Sequence, residues 1–300
     1  MLPTALGRVI EANGGVIQTN MPVEQLIIEK GKCVGVECTD GTQYRARKSV
    51  VSTIHIKHLM NMAPTNLWGD DFVESVRLIQ PEHAMFAFHY ALSEAPKFEL
   101  ADGSTISPAE SALLSSPERI LLADYEHATG KLNLDDLPLQ VVCPSIGDPT
   151  RAPAGHHTLK LLGNLPYALE EGPQHWDNIK ADVAKKVFDN FKAFCPNLTE
   201  DKILGEFIMS PIDIERMNPA MWRASVHAFS YGAAHSGDMR PVPGWSEYRM
   251  PIPGLYQTGS CTAPGGSVRG APGRNAAAVI LQDHGSSIEE AVSGPAQVRL

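Results

Sequence analysis

No strand in this 300-residue chain runs into a Gly-x-Gly-x-x-Gly turn and a helix. The arrangement that ordinarily cradles a dinucleotide pyrophosphate is therefore missing from the sequence. Basic residues are also scarce: 25 Lys and Arg stand against 34 Asp and Glu, a net charge of −9. That balance argues against nucleic-acid binding and against strong attraction to anionic membranes. Only five cysteines occur, scattered and odd in number. They suggest reduced thiols in a cytoplasmic setting rather than a disulfide framework. Cys33 and Cys38 could share one hairpin arm, but no second pair completes a zinc site, and no metal is expected. No apolar run approaches the ~20 residues of a membrane-spanning helix. The chain opens without a basic segment followed by an apolar one, so no secretory signal is expected.

What is present suffices for a sizeable core. Hydrophobic residues make up 43% and charged residues 20%, ordinary values for one large domain or two smaller ones. Residues 2–13 read as an amphipathic helix with Leu2, Leu6, Val9 and Ile10 on one face, stopped by Gly14-Gly15. Val16 to Thr19 reads as a short strand. Val23 to Glu29 and Cys33 to Thr39 form a hairpin around Lys30-Gly31-Lys32, and Gln43 to Lys48 returns after Asp40-Gly41. Val50-Val51-Ser52 is a further apolar strand. Residues 54–80 read as helical and Ala84 to Leu92 as a strand. Residues 93–118, with Pro96, Gly103 and Pro108, read as a surface excursion. Ile120 to Ala123, Leu139 to Cys143, Thr158 to Leu162 and Ile203 to Met209 are strand candidates. The clearest helix is His175 to Phe194, with an apolar stripe of Ile179, Val183, Val187, Phe188 and Phe191. Pro211 to Met217 is a short helix, and Asn275 to Gln282 continues the last one.

Residues 241–274 hold seven glycines and six prolines, which marks structure set by the backbone. Within them a short strand, Leu255 to Thr258, runs into glycines and then an Ala-rich helix. Backbone N–H groups at a helix start can approach an anionic or electron-rich cofactor closely. Gly254 to Asn275 resembles the C-terminal flavin-contacting motif of phytoene-dehydrogenase-like FAD oxidoreductases. Further blocks match that family in its order: Leu2 to Gly15, Pro22-Val23-Glu24-Gln25-Leu26 with Gly35-Val36, Val50 to Thr53, Pro144 to Leu159 in part, and Arg240 to Gly244.

The resemblance implies an α/β, mixed α+β fold. It would be a truncated FAD-binding domain of the glutathione-reductase/amine-oxidase type with a mixed-sheet substrate domain. Residues 1–53 would be the partial FAD-binding domain and 54–243 the substrate domain. Residues 244–300 would be a C-terminal FAD segment returning to the first. It further implies that Val23 faces the adenine end of FAD and that Ser52 and Thr53 lie at the domain crossover. Gly259 and Ser260 would border the ribityl-pyrophosphate region, and Gly266, Ser267 and Val268 would place N–H groups by the flavin pyrimidine. His235 and Tyr231 fall in the region that faces substrate and flavin, as candidate acid–base groups. The expected reaction is oxidation or desaturation of an apolar small molecule. A second copy or a chain carrying the Rossmann half is the expected partner, docked on an apolar surface. Two alternatives stay open. One is a cofactor-free ligand binder or ester/lactone hydrolase, for which Gly265 to Arg269 misses Gly-x-Ser-x-Gly at Arg269. The other is a non-catalytic partner of a full-length relative.

Overall fold

In the computed structural model, which describes residues 2–293, helix α1 (Leu2–Ala12) gives way to Gly14 at positive φ (80°). Lys30 and Gly31, both at positive φ (50° and 76°), turn β1 (Val23–Glu29) into β2 (Lys32–Cys38). Such a turn matches the twist of the flanking strands, and the hairpin forms as predicted. β3 (Gln43–Arg45) adds to β2 after Asp40 Oδ1 accepts a hydrogen bond from Thr42 N at 2.9 Å. β4 (Val50–Ser52), α2 (Ile56–Leu59) and α3 (Asp70–Arg77) follow. Then come β5 (Met85–Leu92), β6 (Phe98–Glu99), β7 (Thr105–Ile106), β8 (Glu110–Leu113), α4 (Pro117–Thr129), β9 (Leu139–Val142) and the single turn α5 (Pro144–Gly147). β10 (His157–Asn164), α6 (Trp176–Lys192), β11 (Ile203–Met209), α7 (Pro211–Met217), β12 (Leu255–Gln257), α8 (Ala271–Asp283) and α9 (Ile288–Ser293) complete the described chain. The fold is mixed α/β.

The chain divides into two compact units, one of residues 1–80 with 231–300 and one of Pro81–Ser230. The divisions fall at 80/81 and 230/231, where the sequence placed them at 53/54 and 243/244. Aromatic packing accounts for the first of these. The ring of Phe72 stacks on Trp68 at 5.4 Å and meets Trp245 edge-on at 5.6 Å. That contact fastens residues 68–72 and 245 inside the first unit.

In the first unit, β1, β2 and β3 form an antiparallel sheet, and β12 pairs with β4 in parallel, Leu255 opposite Val50 and Gln257 opposite Ser52. Gly254 is required where the chain enters β12. Its φ is 79°, and a Cβ there would sit 2.8 Å from the Cys33 carbonyl oxygen. Val16 to Thr19 is not a strand, because these residues find no strand partner among the described residues. The expected helix over 54–80 is interrupted at Ala63-Pro64 and at Gly69 (φ 78°). Helix α1 forms as expected, yet its apolar face is open, with Leu6 58% exposed.

The second unit is a five-stranded antiparallel sheet in the order β11-β5-β10-β9-β8. Alternation puts Phe86, Phe88, Tyr90 and Leu92 on one face of β5. With Leu159 and Leu161 they meet the predicted stripe of α6, where Val183, Val187, Phe188 and Phe191 are buried. Ile120 to Ala123 lies inside α4 and is not a strand. Ser116 caps that helix by accepting from Arg119 N (3.1 Å), Pro117 starts it, and Gly130 at φ 76° ends it. Its inward residues are a buried ion pair, Arg119 Nη1 to Glu126 Oε2 at 3.0 Å. The apolar run Ile120-Leu121-Leu122 points outward, Leu121 being 73% exposed. Capping and the buried pair thus set the helix against the strand propensity of four residues.

Candidate functional site

The ends of the parallel strands lie side by side. Thr258 N donates to Ser52 O at 2.9 Å, Ile54 N donates to Ser52 Oγ at 3.1 Å, and Gln257 Nε2 donates to Ile54 O at 2.8 Å. The chain then turns at Gly259 (φ 84°), where a Cβ would lie 3.7 Å from Thr53 Cβ. Thr258 Oγ1 and Gln257 Oε1 are buried with no hydrogen-bond partner among the described residues. Buried polar atoms are nearly always satisfied, so two orphans at one strand end mark a place where polar groups await a partner. Ser52 itself is buried and Thr53 exposed.

Val23, Ser52 and Thr53 are brought together around a cavity of about 410 Å³, walled also by Leu26, Gly35 and Val50. Gly259 and Ser260 are not among its walls; Gly259 comes near it at Thr53, and Ser260 follows in the chain. The Gly266-Ser267-Val268 segment is different in kind. Gly266 is buried, Ser267 is exposed at φ 75°, and Val268 is 91% exposed, all before α8 begins at Ala271. The preceding Gly265 (φ 95°) is fixed by its neighbour, since a Cβ there would fall 2.3 Å from Tyr231 Oη.

Arg240 organises the remaining candidates, and the sequence did not single it out for this role. It is fully buried, and its Nε and Nη2 donate to Ser260 O at 3.0 and 2.6 Å. Its Nη1 donates to His235 O at 3.0 Å, and its guanidinium lies 4.7 Å from the centre of the Tyr231 ring. One cation therefore ties the glycine-rich turn to both acid–base candidates. The signal was the Arg240-Pro241-Val242-Pro243-Gly244 run, in which an arginine precedes two prolines. Burial, and after it the Arg240 charge, holds the His235 imidazole below the usual histidine range. His235 is therefore neutral at pH 7 and able to accept a proton. The buried Cys261 thiol is pushed up to about 11 by burial, which makes it inert as a thiolate. His55 accepts from Lys57 N at 3.3 Å as the cap of α2, and its ring meets His58 edge-on. No cluster suited to a metal ion occurs among the described residues.

The family model for flavin containing amine oxidoreductase matches residues 1–281. The chain is 29% identical over 293 residues to the mouse (Mus musculus) pyridine nucleotide-disulfide oxidoreductase domain-containing protein 2, covering 94% of this chain and 50% of that protein. It is 30% identical over 292 residues to the rat (Rattus norvegicus) protein of the same name, with the same coverage of 94% and 50%. It is 25% identical to a neurosporene-forming phytoene desaturase of Cereibacter sphaeroides, covering 91% and 50%. The chain thus spans about half the length of the curated relatives it matches. A solved oxidoreductase from Methanosarcina mazei shares the fold, with a TM-score of 0.50, 18% identity and coverage of 86% of this chain and 48% of that one. The glycine-rich turn, the parallel strand pair and these likenesses agree: the chain belongs to the flavin-containing amine oxidoreductase family.

Proposed function

We propose that this chain carries the substrate-binding unit and one wall of the FAD site of an oxidoreductase that removes hydride from an apolar small molecule. The observation that carries the reading is the β4–β12 pair, which ends in two buried side-chain oxygens, Gln257 Oε1 and Thr258 Oγ1, without a hydrogen-bond partner among the described residues, beside the turn at Gly259. These residues fit a flavin cofactor: backbone at Val23, Thr53, Gly259 and Ser260 would hold it, with Gly266, Ser267 and Val268 toward the ring. FAD would supply the hydride acceptor. Neutral His235, with Tyr231 beside the same arginine, would take or return the substrate proton. Residues 81–230 would bind the substrate.

The remaining part of the cofactor site, a glycine-rich βαβ half, would come from further sequence of the same protein or from a partner chain. Two observations support this. Parallel strands occur in sheets covered on both faces, and here only two pair. The open face of α1, with Leu2, Leu6 and Ile10 exposed, offers the apolar surface such a half would cover. The visible spectrum of the purified chain after incubation with FAD and desalting tests the reading. Retained flavin bands, either alone or after co-expression with the glycine-rich half of a full-length relative, support it. A protein colourless in both cases refutes the flavin role and leaves a cofactor-free one.

A further inference from the structure

A second cavity, of about 510 Å³, lies wholly within the Pro81–Ser230 unit, on the sheet face opposite α6. Its floor is the strands β10, β5 and β11, where His89 stands opposite both Lys160 and Phe207. Ala91 and Gly205 face each other in the same register and leave a hollow. A Cβ at Gly205 would meet nothing within 4 Å, so the hollow is open space and not a close approach of chains. The size suits a small organic ligand.

The charges in this cleft are unbalanced. Lys160 is half-buried and makes no ion pair among the described residues. Arg151 adds a second cation at the rim, shared with Asp148 at 3.3 Å. Thr158 borders the cleft, and its Oγ1 is enclosed without a hydrogen-bond partner. Glu206 also borders the cleft, but its carboxylate makes no ion pair with Lys160 among the described residues. Glu206 pairs with Tyr90, a core residue, and so leaves the edge strand on the other face.

We propose that this cleft binds a molecule with an apolar body and a carboxylate, the carboxylate on Lys160 and the body over Phe207 and the hollow at Ala91 and Gly205. The His89 imidazole, held below its usual range by burial and then by Lys160, is neutral at pH 7 and adds no competing charge. The site stands on residues of one unit and does not depend on flavin.

Calorimetric titration of the chain with octanoate at pH 7.5, and with octan-1-ol as the uncharged analogue, tests this. Octanoate binds saturably, and octan-1-ol binds about tenfold more weakly or worse, because a charge-assisted contact is lost. Lys160→Gln weakens octanoate by about tenfold, and Lys160→Arg restores most of it. Gly205→Leu fills the hollow and removes saturable binding while circular dichroism stays native. Should Gly205→Leu fail to fold, the lysine pair decides alone. Absence of saturable binding, equal affinity for the alcohol, or octanoate binding untouched by Lys160→Gln overturns the proposal. FAD retention is measured separately, so neither result stands in for the other.

Discussion

Two parallel strands of three residues each make the wall of the candidate flavin site, whereas five antiparallel strands carry the second unit. The antiparallel sheet has one face sealed by α6 and a continuous apolar core. The parallel pair relies on particular backbone and polar features: Gly254 against Cys33 O, Gly265 against Tyr231, and Arg240 on the Ser260 and His235 carbonyls. The first kind of structure rests on area removed from water and tolerates exchange of similar side chains. The second rests on single atoms and does not.

The largest expected effect lies in the sealed core. Phe191 is fully buried among Phe188, Phe98 and the β5 aromatics. Phe191→Ala should cost about 3–5 kcal/mol through lost burial and a residual cavity. Hydrogen exchange of β5 and β10 amides reads this loss locally, which a single global unfolding curve does not. Protection in β4 and β12 should be far less affected. Equal loss in both units would remove the distinction between them.

In the first unit the corresponding break is a single methyl. Gly265→Ala must accept a positive φ and displace the Tyr231 ring, at a cost of about 1–3 kcal/mol. Tyr231→Ala should relieve part of that cost, so a double-mutant cycle on thermal unfolding shows favourable coupling. Additive losses would mean that the ring is not what fixes this glycine.

The same contrast explains what the sequence disclosed. Periodicity found α6 because burial of Val183, Val187 and Phe191 is a property of spacing, and the Lys30-Gly31 turn is written in local conformational preference. Val50-Val51-Ser52 and Pro211 to Met217 were legible for similar reasons. Val16 to Thr19 was misread because strand propensity does not provide a neighbouring strand. Ile120 to Ala123 was misread because a buried Arg119–Glu126 pair inverts the usual amphipathic pattern. In the candidate site, the resemblance supplied Val23, Ser52 and Thr53, which share one cavity. Arg240 was missed as an organiser because it donates hydrogen bonds to the Ser260 and His235 carbonyls, which no side-chain pattern reveals. Lys160 and Gly205 line one cleft only because strand register sets them opposite His89 and Ala91 of β5.

The smallest effect separates surface charge from both kinds of packing. Asp283 on α8 accepts from Arg249 Nε and Nη2 at 2.8 and 2.7 Å and from Tyr256 Oη at 2.7 Å. These bonds, Arg249 first, hold its carboxyl down at about 2. A depressed carboxylate stabilises the folded state above its unfolded pKa of about 3.9, and that contribution is lost as pH falls toward 2. The group is solvent-exposed, so screening should keep the contribution below about 1 kcal/mol. Asp283→Asn should therefore flatten the acid limb of first-unit stability between about pH 4 and pH 2 and leave the sheet of the second unit unchanged. Added salt should shrink the difference between the two proteins, since the bond is a screened surface pair. A loss of several kcal/mol at neutral pH would instead place Asp283 among the single-atom determinants of the first unit, beside Arg240.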